Sequence, residues 1–330
     1  MTVSIIIPVY NAQRYLRRTA GDLLGQSFDD LEIIFVDDGS TDNSGRMLDE
    51  IAKRDHRVRV LHRKNGGTAS ARNAGMEAAS GTYLMFMDDD DRIPKTCVEE
   101  FLSAIRGSDT DIVIGGYRRI TPLGRVVFTR RLIRSGSHCP RVLSDCRKTR
   151  WLFYINISPW AKLYRRDFVK ECGARFLEYP YGEDIYFQMI LQAADPKIRY
   201  SSSTSYCWVD RKESISNTIH KGIREEADIF PMLDKVLEVH PQRDELFRYF
   251  LYRHCAYHIY VSGKDASPGR TAEEFRRCRD WLKKNRLVPK LSPFSPKLRG
   301  EILRDRIAVL VIRWTSRFHL ESLFARIYCR

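Results

Sequence analysis

The sequence contains no apolar run that approaches the roughly 20 residues needed to cross a bilayer. Its N-terminus also lacks the basic and apolar regions of a secretory signal peptide. The eight cysteines are scattered and include no Cys-x-x-Cys pair, which argues against a disulfide framework and a zinc site. These absences predict a protein of the reducing cytoplasm.

Two nucleotide-binding motifs are also missing. Where a dinucleotide-binding domain carries Gly-x-Gly-x-x-Gly after its first strand, this chain reads IPVYN (7–11). The sequence has no Walker A loop, no internal repeat and no low-complexity tract, and its histidines show no metal-ligand spacing. A standard NAD-binding domain and a P-loop enzyme are therefore disfavoured.

What the chain does contain is a series of apolar runs that alternate with helical patterns. Strands are predicted at 3–10, 31–38, 57–62 and 82–87. The first intervening helix is expected from about Ala12 to Gly25, with Asn11 as its N-cap. This alternation indicates right-handed βαβ units and an α/β fold with a mainly parallel sheet. A β-hairpin is predicted from 111–120 and 125–133, and mainly helices are predicted beyond about residue 217.

Four consecutive aspartates, Asp88–Asp91, follow the strand candidate at 82–87. Neighbouring carboxylates about 4 Å apart repel by roughly 4 kcal/mol at an effective dielectric constant of 20. A solvated turn would dilute this repulsion, whereas a bound divalent cation would turn it into attraction. The cluster ends a strand, and open α/β sheets bind their ligands at the carboxyl ends of the strands.

Two other segments place polar residues at strand ends or helix starts. Asp37 and Asp38 begin the loop DDGSTD, which suits either a nucleotide contact or a simple helix-capping turn. The loop NGGT (65–68) leads into a helix whose N-terminus would favour an anion. Arg72, about one turn into that helix, would face a base or phosphate, or form a surface ion pair.

These segments occur in one order: VSIIIPVYN, DLEIIFVDDGSTDNS, NGGTASARNAG and YLMFMDDDD. In this order and spacing they closely resemble the family-two glycosyltransferases, whose nucleotide-sugar-binding domain has the GT-A fold. The resemblance is close over about 1–110 and resumes more loosely at SPWAKLYRRDF, YGEDIYF and YCWVDRKESIS. It implies a catalytic domain at 1–217, with a nucleotide-binding half (1–110) and an acceptor half (111–217). A helical, basic region would follow at 218–330.

The resemblance also implies the donor site. The residues expected to bind the nucleotide-sugar are Pro8, Tyr10, Asp38, Arg72 and Asp89. Asp90, together with Asp88, is expected to hold Mg²⁺ or Mn²⁺ on the diphosphate. Pro94 comes one residue earlier than the family pattern has it, which leaves open which of the four aspartates binds the metal.

Glu183 and Asp184 open an apolar-periodic helix. Two carboxylates in a first turn often only compensate the helix dipole. The resemblance implies instead that Asp184 is the catalytic base and that Glu183 orients the acceptor. Transfer would then be a single displacement that inverts the anomeric configuration.

Three further residues are expected on the acceptor side. Trp160 would stack on a sugar, Lys162 would contact a phosphate, and Arg211 would belong to a loop that closes over the diphosphate. The alternative interpretation makes Trp160 a core aromatic and Lys162 a surface cation.

The chain carries a net charge of +14, and its last fifth is the most basic part. Arg299, Arg306, Arg313 and Arg317 lie within about 40° on a helical wheel. A helix with this stripe would rest on an anionic membrane surface, or it would be a buried helix whose arginines face solvent.

These patterns predict an inverting, metal-dependent hexosyl- or N-acetylhexosaminyltransferase that uses a nucleotide-sugar, most simply a UDP-sugar. The expected acceptor is a glycan, expected to be lipid-linked, in bacterial capsule or exopolysaccharide synthesis. The expected location is the inner face of the plasma membrane, with no nucleic-acid partner. A basic nucleic-acid-binding protein and a nucleotidyltransferase of related fold are the alternatives.

Overall fold

The computed structural model describes residues 2–105, 107–131, 142–144 (backbone), 154, 157–180, 182–211, 223, 228–241, 243–298 and 300–329. The chain divides into two compact units. The first unit consists of Met1–Asp145, Ile157–Asp210 and Met232–Val239. The second consists of Cys146–Asn156, Arg211–Pro231 and His240–Arg330.

The first unit contains the described strands and part of the helices. Its strands are β1 (Val3–Val9), β2 (Leu31–Asp37), β3 (Val58–His62), β4 (Tyr83–Phe86), β5 (Ile112–Ile114), β6 (Tyr117–Ile120), β7 (Val126–Arg130), β8 (Val142–Ser144), β9 (Lys162–Arg165), β10 (Ile198–Ser201) and β11 (Tyr206–Val209). Its helices are α1 (Leu16–Leu24), α2 (Ser44–Ala52), α3 (Thr68–Ala78), α4 (Cys97–Ser103), α5 (Arg166–Glu171) and α6 (Glu183–Ala193), together with most of α7 (Phe230–Val239).

The predicted mainly parallel sheet is confirmed. Eight strands lie in the order β3-β2-β1-β4-β9-β5-β10-β8, and the first four run parallel to one another. Every residue of β1, β2 and β4 is buried, as expected for strands covered on both faces. β9 pairs antiparallel with both β4 and β5.

A second, three-stranded sheet has the order β11-β6-β7. β6 and β7 form the predicted hairpin. The segment 111–120, however, is two strands rather than one, because Gly115 and Gly116 separate β5 from β6. A Cβ atom on Gly116 would lie 2.0 Å from the carbonyl oxygen of Arg130, so this backbone approach requires glycine.

The first helix begins later than predicted, at Leu16. Asn11 does not cap it. Instead, Asn11 has a positive φ of 52°, and its Oδ1 accepts hydrogen bonds from the backbone N–H groups of Thr41 (2.8 Å) and Asp42 (3.2 Å). The asparagine therefore joins the ends of β1 and β2.

Gly75 sets the distance between α3 and the sheet. A Cβ atom at this position would lie 2.4 Å from Cγ2 of Ile6 in β1. Gly75→Ala is therefore expected to lower the free energy of unfolding by about 1–3 kcal/mol, because the added methyl group overpacks the interface. Urea unfolding followed by circular dichroism measures this change.

Gly21→Ala is the matched control for that substitution. Gly21 is also inside a helix, α1, but a Cβ atom there meets no heavy atom within 4 Å. We expect this variant to be as stable as the parent or up to about 1 kcal/mol more stable. Equal effects at the two glycines would contradict the close-packing explanation.

The second unit is helical in the part of the chain that the structure describes. Its helices are α8 (Glu245–Ser262), α9 (Pro268–Lys284), α10 (Leu303–Arg317) and α11 (Glu321–Tyr328), with 3₁₀ turns at Gly263–Asp265 and Pro296–Leu298. Within residues 2–329, where described, no helix is long and apolar enough to cross a membrane.

The predicted arginine stripe does not form an outward face. Helix α10 starts at Leu303, and Arg299 lies outside the described residues. Arg306 donates to the carbonyl oxygen of Leu298 (2.6 Å), and Arg313 donates to that of Leu291 (3.2 Å). Both guanidinium groups thus satisfy backbone acceptors of the preceding loop, while Arg317 is exposed. The described arginines of the stripe are therefore not equally exposed, because a helical wheel does not show which acceptors lie beside each side chain, and the expected contact with an anionic membrane stays a prediction.

Candidate active site

The predicted donor residues gather where β1, β2 and β4 end. These strands are parallel neighbours, so their carboxyl ends meet at one edge of the sheet. Pro8 is buried in β1, opposite Val36 of β2. Tyr10 follows β1 and is half exposed, and its backbone N–H lies 3.4 Å from Oδ2 of Asp89.

Asp38 fixes the glycine loop that precedes α3. Its buried carboxylate accepts hydrogen bonds from the backbone N–H groups of Gly66 (3.1 Å) and Gly67 (2.7 Å). Arg63 forms an ion pair with it at 3.2 Å. Asp38 thereby holds the N-terminus of α3 against the end of β2.

Arg72 joins two parts of the site that are far apart in sequence. Its side chain is 5% exposed. Nη1 donates to Oδ1 of Asp184 and Nη2 donates to Oδ1 of Asp88, both at 2.8 Å. Glu183 lies 3.6 Å from the same guanidinium group, which also sits over the ring of Phe176. Arg72 therefore does not form the surface ion pair that the sequence also allowed. It is buried and contacts three carboxylates.

The charges of this cluster shift one another's pKa values. Burial favours the neutral form of Arg72, but Asp184, Asp88 and Glu183 outweigh it and raise the arginine's pKa above its ordinary value. Burial raises the pKa of Asp184 to about 7, although Arg72 acts in the opposite direction. Asp184 thus changes charge close to neutral pH, which is the range that suits a general base.

The four aspartates have different environments. Asp91 points inward, where it accepts hydrogen bonds from the hydroxyl of Tyr206 (2.6 Å) and the backbone N–H of Val209 (2.8 Å). It is fully buried, which raises its pKa well above the ordinary value. Asp91 therefore anchors the acidic loop to β11 and does not face a ligand.

Helix α1 holds the backbone of the same loop from the other side. The hydroxyl of Thr19 donates to the carbonyl oxygen of Asp89 (2.6 Å), and Arg18 donates to that of Asp90 (2.8 Å). These bonds use the main-chain oxygens of Asp89 and Asp90, so helix α1 fixes the path of the loop backbone.

The donor set suits Mg²⁺ or Mn²⁺, because both ions prefer carboxylate oxygens. Among the residues that the structure describes, no three acidic, histidine or cysteine side chains converge on one point. In the usual magnesium sites of phosphate-transferring enzymes, one or two carboxylates share the ion with substrate phosphates and water. Asp88, which Arg72 engages, and Asp90 are carboxylates of the kind that such sites use.

The predicted acceptor residues do not form one exposed patch. Trp160 is packed in the core, where it stacks on Tyr206 at 4.8 Å and meets the edge of Tyr117. This packing is the arrangement that the core-aromatic interpretation described. Arg211 lies two residues after the end of β11 and belongs to the second unit.

Lys162 is buried completely, which neither interpretation of the sequence anticipated. It lies in β9 and donates to the carbonyl oxygen of Ser158. Burial lowers the pKa of Lys162 to about 7, while the nearby charge of Asp184 raises it. A lysine in a short strand usually indicates an exposed position, so no local sequence signal reveals this placement.

Comparison with known proteins gives one family and several relatives. The family described as Glycosyl transferase family 2 matches residues 4–173. The glycosyltransferase EpsJ of Bacillus subtilis (strain 168) is 27% identical over 344 residues, which cover 98% of this chain and 95% of EpsJ.

Two solved structures share the fold. The first is S. aureus TarS 1–349 in complex with UDP, with a TM-score of 0.60, 18% identity, and coverage of 97% of this chain and 92% of that chain. The second is the mannosyltransferase PcManGT from Pyrobaculum calidifontis in complex with GDP-Man and Mn²⁺, with a TM-score of 0.52 and 12% identity. It covers 96% of this chain and 87% of its own. At these identities the similarity concerns the fold.

Proposed function

Because the chain belongs to glycosyl transferase family 2, we propose that it transfers a hexosyl or N-acetylhexosaminyl group from a UDP-sugar to a lipid-linked glycan, with inversion at the anomeric carbon. The observation that carries this proposal is the cluster around Arg72. It brings Asp88, at the donor edge of the sheet, and Asp184, at the start of α6, to opposite nitrogens of one guanidinium group.

For the donor, we propose a pocket at the carboxyl ends of β1, β2 and β4. The residues assigned to it are Pro8, Tyr10, Asp38, Arg72 and Asp89. Their common position at one sheet edge supports this assignment, because open α/β sheets bind their ligands at the carboxyl ends of the strands. The UDP complex of TarS, which has the same fold, supports the choice of a uridine nucleotide.

For the metal, we propose that Asp90, with Asp88, holds Mg²⁺ or Mn²⁺. When bound, the ion would act as a Lewis acid on the diphosphate of the leaving group. The PcManGT structure, which contains Mn²⁺ beside its nucleotide-sugar, supports a divalent ion in this fold.

For the chemistry, we propose that Asp184 is the general base. Its carboxylate takes the proton of the acceptor hydroxyl while that oxygen attacks the anomeric carbon and the nucleoside diphosphate leaves. Glu183, one residue earlier, would hydrogen-bond and orient the acceptor. A pKa of about 7 supports this role, because the group then loses its proton in the working range and still accepts one readily.

For the acceptor, we propose binding residues but no defined pocket. Trp160, Lys162 and Arg211 remain our assignments there, although direct contact would require the buried Trp160 and Lys162 to become accessible. We also retain the division into a catalytic domain at 1–217, with halves at 1–110 and 111–217, and a helical basic region at 218–330. The family resemblance supports a role in bacterial surface polysaccharide synthesis, either capsule or exopolysaccharide, at the cytoplasmic face of the membrane.

The proposal is tested by incubating the full chain with UDP-, GDP- and dTDP-sugars and Mn²⁺ and measuring the nucleotide released. We expect slow hydrolysis that is fastest with a UDP-sugar and stops with EDTA. Asp90→Ala is expected to lower this rate at least about 100-fold and to abolish Mn²⁺-dependent UDP binding in calorimetry.

Asp29→Ala, an exposed aspartate in the turn before β2, is the matched control and should behave as the parent. Unchanged hydrolysis in the Asp90 variant would refute the metal assignment alone. A parent chain that binds and hydrolyses none of the nucleotide-sugars would refute the donor chemistry.

A further inference from the structure

Helices α10 and α11 leave several large apolar side chains uncovered. The exposed residues are Leu303, Ile307, Val311, Trp314, Phe318, Leu320, Leu323 and Ile327. We call this set the α10–α11 face. Monomeric proteins rarely expose so many large apolar groups together unless the surface binds something.

The α10–α11 face follows from helical geometry. Its members in and directly after α10 are spaced by four, four, three and four residues, so they share one side of the helix. Val309 and Ile312, on the opposite side, are buried in the second unit. The rings of Trp314 and Phe318 lie 5.3 Å apart, so the apolar surface extends to the C-terminal end of α10.

In and next to these two helices, the acidic side chains are held in ion pairs and the exposed charged side chains are basic. The acidic side chains all point inward: Glu301 and Asp305 pair with Arg253 of α8, and Glu321 pairs with Arg279 of α9. The exposed charges are basic: Arg304, Arg317 and Arg326. The α10–α11 face is thus an apolar surface with a cationic rim and no exposed carboxylate from its own helices.

We propose that the α10–α11 face docks on an anionic lipid bilayer, with both helices lying in the membrane interface. An apolar face that enters the acyl boundary and a basic rim that meets anionic headgroups are the features of an interfacial helix. Trp314, which is 60% exposed, suits the headgroup level because its ring is apolar and its N–H is polar.

A second copy of the chain is a less suitable occupant. Pairing two α10–α11 faces would bring Arg317 and Arg326 of one copy near the same residues of the other, with no exposed acid on these helices to neutralise them. A bilayer that contains anionic lipid offers the opposite charge.

This surface differs from the arginine stripe predicted from the sequence. Two arginines of that stripe bind backbone carbonyls, and the apolar side of the same helix faces outward instead. Membrane binding is argued from the α10–α11 face alone. Only its biological use rests on the proposed function, because a lipid-linked acceptor would explain why a transferase stays at the membrane surface.

The test is sedimentation of the full chain with vesicles of phosphatidylcholine and phosphatidylglycerol, without any sugar donor. We expect binding to vesicles with 30% phosphatidylglycerol and little to pure phosphatidylcholine. Trp314→Asp together with Ile307→Asp should lower the partition coefficient at least about tenfold, because both carboxylates would enter the interface. Arg317→Glu together with Arg326→Glu should lower it about tenfold or more on anionic vesicles.

Leu123→Asp is the matched control. Leu123 is almost fully exposed, but it lies in the turn of the β6–β7 hairpin in the first unit, so binding should not change. The fluorescence attributable to Trp314, obtained as the difference between the parent and Trp314→Phe, should be quenched by brominated lipid. Circular dichroism and donor hydrolysis should be unchanged in the α10–α11 variants.

Two outcomes would overturn the proposal. One is a parent chain that ignores anionic vesicles at low salt. The other is a parent chain that is dimeric in ultracentrifugation and becomes monomeric with Trp314→Asp, which would assign the α10–α11 face to a second copy. Donor hydrolysis is measured without vesicles, so a chain that does not bind vesicles can still be shown to be a transferase. Vesicle binding is measured without a donor, so a chain that hydrolyses no nucleotide-sugar can still be shown to bind the membrane.

Discussion

Asp184→Asn is expected to reduce sugar transfer by about 10²–10⁴-fold, the usual contribution of a general base. An asparagine amide does not accept a proton at neutral pH, so the acceptor hydroxyl would have to attack without help. The amide oxygen can still accept the hydrogen bond of Arg72, which the aspartate accepts at 2.8 Å. UDP-sugar binding, measured by calorimetry with Mn²⁺, should therefore stay within a few-fold of the parent.

Asp195→Asn is the matched control for that variant. Asp195 lies just beyond the other end of α6, is exposed, and has a positive φ of 53° that asparagine tolerates well. It should transfer sugar at the parent rate. If Asp184→Asn lost UDP-sugar affinity but kept near-normal turnover, Asp184 would belong to the donor site and not to the chemical step.

Arg72→Lys is expected to lower transfer at least about 100-fold although the positive charge is kept. A guanidinium group donates in two directions, to Asp184 and to Asp88, whereas a single ammonium group cannot hold both carboxylates in this geometry. The base and the donor edge would then lose their common support. Arg59→Lys, at a half-exposed ion pair with Glu32, is the control and should have little effect.

The pH profile distinguishes this role from a purely structural one. In the parent, kcat/KM should fall about tenfold per pH unit below about pH 7, because the base must be deprotonated and burial raises the pKa of Asp184 to about 7. Arg72 lowers that pKa, so a lysine that no longer donates to Asp184 lets the pKa rise. The acidic limb of Arg72→Lys should therefore move to higher pH. If Arg72→Lys lowered the transfer rate but left the acidic limb of the pH profile at the parent's pH, the role of Arg72 would be limited to stabilising the fold.

Much of the donor edge could be predicted from the sequence, because its signals are local. The apolar runs of β1, β2 and β4 required burial on both faces, and parallel strands bring their polar ends to one edge. The hydrogen bond between Arg72 and Asp184 could not be predicted from the sequence. These residues are 112 positions apart, and nothing in either segment indicates the other.

The acidic cluster shows the same limit at short range. Asp88 and Asp91 are identical residues three positions apart, yet one pairs with Arg72 and the other is buried against Tyr206. Their difference depends on β11, which arrives more than 100 residues later and brings the tyrosine hydroxyl to Asp91. A sequence of four aspartates contains no information about which of them will be turned inward.

The sequence by itself determined the fold class, because the period of apolar runs is a property of the chain alone, and its ordered motifs carried the resemblance that identified the family. Only the tertiary structure decided that Arg72 joins the two halves of the site, that Lys162 is buried, and that α10 turns its apolar side outward. Each of these depends on what packs against a residue from elsewhere in the chain. A helix as apolar as α10 can bury either side; in this structure Val309 and Ile312 are buried, and two arginines of the helix bond to the carbonyl oxygens of Leu291 and Leu298.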